Sequence, residues 1–178
     1  TVFSLSEEFD YLNAGDIIRI EPSRNRIRCL FRVKSSNNFI LLTERCNHKC
    51  LMCSQPPKNI DDSALMTEAM ELIKFMPKNL MSLGITGGEP TLYGHQLIEL
   101  VDCIKTHLPY TSLDILSNGR SFKEAKYARE MASVDHSDLR IAIPVYSADP
   151  ARHNYVVQAN DAFDETIKGI INLKKYGV

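Results

Sequence analysis

At 178 residues, with 44% hydrophobic and 24% charged side chains, the chain has the length for one domain with a sizeable core, or one domain with a small appendage. A formal net charge of −1 sets up no global field for nucleic acid or an anionic membrane, and no apolar run approaches the ~20 residues of a transmembrane helix. The five cysteines are odd in number, with three inside eight residues, which is poor geometry for a disulfide framework and leads us to expect reduced thiols in a cytoplasmic setting.

Residues 1–38 read as an N-terminal β-rich extension. Asp16 to Glu21 and Arg26 to Val33 alternate, with Ile18 and Ile20 on one face, then Ile27, Cys29, Phe31 and Val33. Pro22-Ser23-Arg24-Asn25 between them is a turn signal, so a hairpin is expected. Its other face carries Arg19, Arg24, Arg26, Arg28 and Arg32, either as a solvated strand face or as a basic surface for an anionic partner. Residues 39–178 follow a different pattern. Phe39 to Leu42 is a continuous apolar run, as in a parallel strand covered on both faces. A helix is expected over Thr67 to Met76, capped by Thr67 and ended by Pro77. Strand Leu80 to Thr86 and helix Thr91 to His107 follow. Strand Leu113 to Leu116, a helix from Ser121 to about Ala132, and strand Leu139 to Val145 come next. Pro144 predicts a bulge or an early end to that last strand. Phe163, Ile167, Ile170 and Ile171 mark a final helix, Gly177 its C-terminal signal, and Val178 the start of a further strand. Four strand–helix alternations predict an α/β fold: a partial TIM-like (βα) barrel of parallel strands, to which further βα units would be added.

The chemistry-bearing stretches each lie just after a strand, where barrels and open α/β sheets carry their sites. Cys46, Cys50 and Cys53 are spaced C-x₃-C-x₂-C directly after the first parallel strand. Thiolates are soft ligands for zinc, copper(I) or iron–sulfur clusters. Three of them complete neither a tetrahedral zinc site nor a four-cysteine cluster. Zinc with His48 or His95 as fourth ligand, an iron–sulfur cluster with an open position, and a stripe of structural thiols all remain open on spacing alone. Gly87-Gly88-Glu89-Pro90 ends the next strand. Its glycines permit close backbone approach, Glu89 is an anionic acceptor, and Pro90 suits a helix start.

The two motifs together resemble the radical S-adenosylmethionine (SAM) superfamily, over about residues 39–178. The resemblance implies that Cys46, Cys50 and Cys53 hold a [4Fe–4S] cluster by three irons. The fourth iron is then left to the amino and carboxylate groups of SAM. It also implies reductive cleavage of SAM to a 5′-deoxyadenosyl radical, with electrons from an external one-electron donor. Gly87, Gly88, Glu89 and Pro90 would form the cradle at the SAM amino group. Met52 stands where the family often places an aromatic residue beside the adenine. Ser117-Asn118-Gly119 is similar to the family's T-N-G or S-N-G at the third strand end. Ser147-Ala148-Asp149-Pro150, with His153 following, resembles the S-L-D-G-P segment of peptide-modifying members, and Ser147 would contact SAM. No catalytic side chain is assigned beyond these cofactor contacts.

Leu42-Thr43-Glu44-Arg45-Cys46 and Cys53-Ser54-Gln55-Pro56-Pro57-Lys58 are similar to the radical SAM maturases of the His-Xaa-Ser peptide systems. That narrower resemblance implies post-translational modification of a ribosomally made peptide and a partner maturase. The alternatives carried forward are a radical SAM enzyme acting on a small molecule and a non-catalytic zinc module. Cys29 and Cys103 are expected to be structural.

Overall fold

The computed structural model describes residues 5–178. Strands β1 (Ile17–Glu21) and β2 (Arg26–Phe31) pair antiparallel with Ile20 opposite Ile27. A 3₁₀ turn over Pro22–Arg24 joins them, closed by Asn25 at φ 47°. Asparagine tolerates that left-handed conformation better than most residues. On the arginine-bearing face of this hairpin, Arg19, Arg24, Arg26 and Arg32 are exposed. Arg19 reaches across to Glu68 at 2.5 Å, and Arg28 shares a small cleft with Glu68, Ala69 and Leu72.

The main sheet has four parallel strands: β3 (Phe39–Leu41), β4 (Ser82–Thr86), β5 (Ser112–Leu116) and β6 (Leu139–Ala142), side by side in sequence order. Helices α1 (Ser63–Phe75), α2 (His95–His107) and α3 (Ala125–Ser133) alternate with them, and α4 (Pro150–Val157) and α5 (Ala162–Tyr176) follow β6. This is the partial (βα) barrel that the strand–helix alternation predicts. Leu42, Ile73, Leu83, Ile85, Leu97 and Leu113 are buried in one core between strands and helices. No helix among the described residues is long and apolar enough to cross a membrane.

Several element boundaries differ from the sequence expectation, each for a local reason. Helix α1 starts at Ser63, and Thr67 lies exposed inside it instead of capping it. Met66 extends the buried stripe of Ala69, Leu72 and Ile73 back by one turn. The expected helix from Thr91 is a 3₁₀ turn over Pro90–Tyr93, broken at Gly94 (φ 55°) before α2. Strand β6 ends at Ala142, two residues before Pro144, which is the early end that a proline imposes. Helix α4 is an addition to the expected elements. Asp149 caps it by accepting from Ala151 N at 2.9 Å, with Pro150 in the first turn. Gly177 ends α5 in the left-handed conformation at φ 88°. Val178 N–H donates to Leu173 O at 3.1 Å and so closes the helix.

Candidate active site

The cysteine loop leaves β3 at Leu42, whose N–H still donates to Thr86 O on β4 at 2.8 Å. The next three residues are pinned by one carboxylate. Asp62 accepts from Thr43 Oγ1 and Glu44 N, both at 2.7 Å, and from Arg45 Nε at 2.9 Å. The far end of the loop is tied to α4: Lys49 N and Leu51 N donate to Val157 O and Val156 O at 3.0 Å. The loop is thus held at both ends before any ligand enters.

Gly87 and Gly88 lie against this loop. Gly88 N donates to Thr43 O at 2.7 Å, and Glu89 N to Arg45 O at 2.8 Å. A Cβ on Gly88 would stand 2.1 Å from Arg45 O, and one on Gly87 2.5 Å from Thr43 O. The glycines therefore serve the close packing of the two strand-end loops, where any side chain would push the cysteine segment away.

A pocket of about 530 Å³ opens at the C-terminal ends of β3 to β6. Cys46, Cys50 and Cys53 line it together with Gly87, Gly88, Ser117 and Asn118. Leu116, Ile143, Pro144, Val157 and Tyr146 form an apolar wall. All five cysteines are free thiols. Among the described residues, no three His, Cys, Asp or Glu side chains gather around one single-ion position. Burial pushes the Cys46 thiol up to about 11 and raises Cys50 as well. Cys53 is exposed and donates to Gln55 O at 2.9 Å.

The remaining sequence candidates fall in different places. Glu89 is fully buried behind the pocket wall. Its Oε1 accepts from Thr91 N, Thr91 Oγ1 and Ser117 Oγ, at 3.0, 2.6 and 2.8 Å, and its Oε2 accepts from Asn118 N at 2.6 Å. Burial pushes this carboxyl up despite those donors. Glu89 thereby locks the β4 and β5 strand ends together, and Pro90 is buried beside it. Met52 is 56% exposed and outside the pocket lining. Ser147 is also outside it, accepting from Asp149 N at 3.0 Å in the turn before α4. His153 is buried, with Nδ1 accepting from Tyr146 N at 3.3 Å.

His48, weighed from the sequence as a fourth zinc ligand, lines the pocket wall; burial drives its imidazole pKa down to about 4, with the Arg120 charge second. Sequence reasoning missed Asn47 and Arg120. Asn118 Nδ2 donates to Asn47 Oδ1 at 2.6 Å, and Arg120 Nη1 to Asn47 O at 3.2 Å. The only signal for these two was their position, one inside the cysteine motif and one directly after Ser117-Asn118-Gly119.

Comparison with known proteins agrees with this geometry. The family model described as "Radical SAM superfamily" matches residues 40–178. GTP 3′,8-cyclase of Aquifex aeolicus (strain VF5) is 29% identical over 144 residues, covering 78% of this chain and 43% of that protein. GTP 3′,8-cyclase of Mycobacterium sp. (strain KMS) is 27% identical over 146 residues, covering 78% of this chain and 40% of the relative. The chain thus spans less than half the length of the curated relatives it matches. Among solved structures, native anSMEcpe with bound AdoMet superposes with a TM-score of 0.59 at 19% identity, covering 80% of this chain and 41% of the other. The same protein with AdoMet and Cp18Cys peptide gives 0.58 at 20% identity, covering 80% and 40%. With paired motifs at adjacent strand ends and a family match over most of its length, this chain belongs to the radical SAM superfamily, whose cofactors are a [4Fe–4S] cluster and S-adenosylmethionine.

Proposed function

We propose that Cys46, Cys50 and Cys53 hold the [4Fe–4S] cluster, that SAM binds beside it against Gly87 and Gly88, and that the substrate is a ribosomally made peptide of the His-Xaa-Ser type. The observation that carries the cofactor reading is the convergence of three free thiols and the glycine turn on one pocket. The donor set fits. Soft thiolates spread around a cavity suit a multi-iron cluster better than a lone ion, and about 530 Å³ lies within the range of ligand sites. Held by Cys46, Cys50 and Cys53, a cluster would supply the one-electron reduction needed to cleave SAM. The chain's own contribution is positional. Asp62 and the α4 carbonyls fix the cysteine loop, Glu89 fixes Ser117 and the Asn118 amide, and Leu116, Ile143 and Val157 give the pocket an apolar wall. Cys46 must release its proton on loading, so metal uptake is coupled to pH. We further propose that residues 1–38 and 39–178 act as an accessory extension and a catalytic domain, with a partner maturase and an external one-electron donor completing the system.

One feature favours a peptide substrate: the loop wording on either side of the cysteines is similar to that of His-Xaa-Ser maturases. The second reading, a purine nucleotide substrate, rests on the similarity to GTP 3′,8-cyclases.

The test is anaerobic reconstitution followed by reduction with SAM present. A brown protein with about four irons per chain, releasing 5′-deoxyadenosine, is the expected result, and Cys46→Ala, Cys50→Ala and Cys53→Ala each abolish it. A colourless protein that retains zinc on the same cysteines overturns the cofactor reading. Deuterium transfer into 5′-deoxyadenosine from a labelled His-Xaa-Ser peptide, and not from labelled GTP, supports the peptide; the reverse pattern supports the nucleotide.

A further inference from the structure

The peptide unit between Asn47 and His48 carries a hydrogen-bond chain through the middle of the cysteine motif. On one side, His48 N–H donates to Cys46 Sγ at 3.3 Å. On the other, the carbonyl of the same peptide unit, Asn47 O, accepts from Arg120 Nη1 at 3.2 Å. Arg120 is itself held in place. Its Nε donates to Glu165 Oε2 on α5 at 2.5 Å, its Nη2 to Asn160 O at 3.4 Å, and its backbone N–H to Asn118 Oδ1 at 3.1 Å. Lys123 Nζ holds the other Glu165 oxygen at 2.5 Å. The Arg120–Glu165 pair is mostly enclosed, with 16% and 20% side-chain exposure, so solvent screens it little.

We infer that Arg120 is a positioning residue for the cluster, acting through the Asn47–His48 peptide to strengthen the hydrogen bond on the Cys46 sulfur. The inference rests on the reading of Cys46 as a cluster ligand. A donor on a carbonyl polarises its peptide and makes the N–H at the other end a stronger donor, by roughly 10–30% per bond. Hydrogen bonds to ligand sulfurs favour the reduced, more negative cluster and so raise its potential. A guanidinium suits this task because its planar fork satisfies Glu165 and Asn47 at once, which a lysine ammonium does not.

Three variants of the intact protein test this, read by amide hydrogen exchange in the apoprotein and by EPR-monitored redox titration of the loaded protein. In Arg120→Met, His48 amide exchange rises about tenfold, and the reduced-to-oxidised ratio at fixed potential falls about tenfold, equivalent to ~59 mV for one electron. Arg120→Lys restores part of both. Glu165→Gln leaves the guanidinium with its charge no longer balanced, so the ratio stays level or rises. Equal His48 exchange in parent and Arg120→Met overturns the inference, as does a potential that falls alike in Arg120→Met and Glu165→Gln, the pattern of simple loop loosening. A parent protein that assembles no cluster defeats the cysteine assignment itself, and is told apart by its iron content.

Discussion

Cys46 is the ligand candidate whose chemistry the protein alters most. Its thiol is pushed up to about 11 by burial, while the backbone bond from His48 works the other way. Raising a thiol from 9.0 to about 11 leaves roughly 100-fold less thiolate near neutral pH. The thiolate is the nucleophile, so apoprotein treated with iodoacetamide at pH 8 reacts far more slowly at Cys46 than at the exposed Cys53. Peptide mass mapping against time measures the ratio. Equal rates would mean that Cys46 is open to solvent and that its enclosure plays no part in the site. Because the shift is upward, Cys46 reactivity keeps climbing as the pH approaches 11, whereas iron loading replaces the proton and removes that pH dependence.

At the scale of elements, α5 explains why the site was only half legible. Its apolar residues Phe163, Ile167, Ile170 and Ile171 marked the helix without fixing its buried face, and Ile171 is 60% exposed. The buried face is Ala162, Thr166, Gly169, Asn172 and Leu173. Periodicity counts apolar side chains, whereas this face works through small and hydrogen-bonding ones. Thr166 Oγ1 donates to Asn118 O at 3.0 Å, and Asn172 Nδ2 to Phe122 O at 2.9 Å. Gly169 lets the helix lie on the Gly119 carbonyl, and a Cβ there would stand 2.2 Å from that oxygen. Gly169→Ala therefore destabilises by about 1–3 kcal/mol, although alanine gains about 1 kcal/mol in helix propensity. Ile171→Ala, on the exposed face, stays within about 0.5 kcal/mol. Urea unfolding of both variants measures the contrast, and a stabilised Gly169→Ala would show that α5 does not sit on the β5 loop. The strands were legible because apolar runs of four to five residues before glycine and cysteine turns have few other readings. Helix α4 was not, since its start signal, Asp149-Pro150, also reads as part of a loop motif.

Across the whole molecule, one buried carboxylate joins the site to the fold. The family resemblance carried by the two motifs singled out the three cysteines and both glycines, but not the group that holds their loop, because Asp62 lies outside both motifs and acts through tertiary contacts. Its side chain is 2% exposed. It binds Thr43, Glu44 and Arg45 on the β3 exit, and Tyr93 OH after β4 lies 3.1 Å from its Oδ1. The Arg45 guanidinium sits 4.9 Å over the Tyr93 ring. Burial alone would raise the Asp62 pKa, but the donors from Thr43, Glu44 and Tyr93 and the Arg45 charge outweigh it, so the carboxyl ends below its usual value. A depressed carboxyl contributes stability that is fully present above the unfolded value of about 3.9 and is lost as the pH falls through the folded value. Asp62→Asn keeps the shape but sets an amide N–H₂ against donors. It costs about 3 kcal/mol at pH 7. The gap to the parent holds down to about pH 5 and narrows below about pH 4, as the parent's carboxyl takes up its proton. Taking the difference between the two proteins removes Glu89, whose buried carboxyl is pushed the other way but is common to both. Denaturant midpoints at pH 7, 5 and 3 supply the measurement. A gap as wide at pH 3 as at pH 7 would assign the loss to packing at residue 62 and leave the charge no role in holding the cysteine loop.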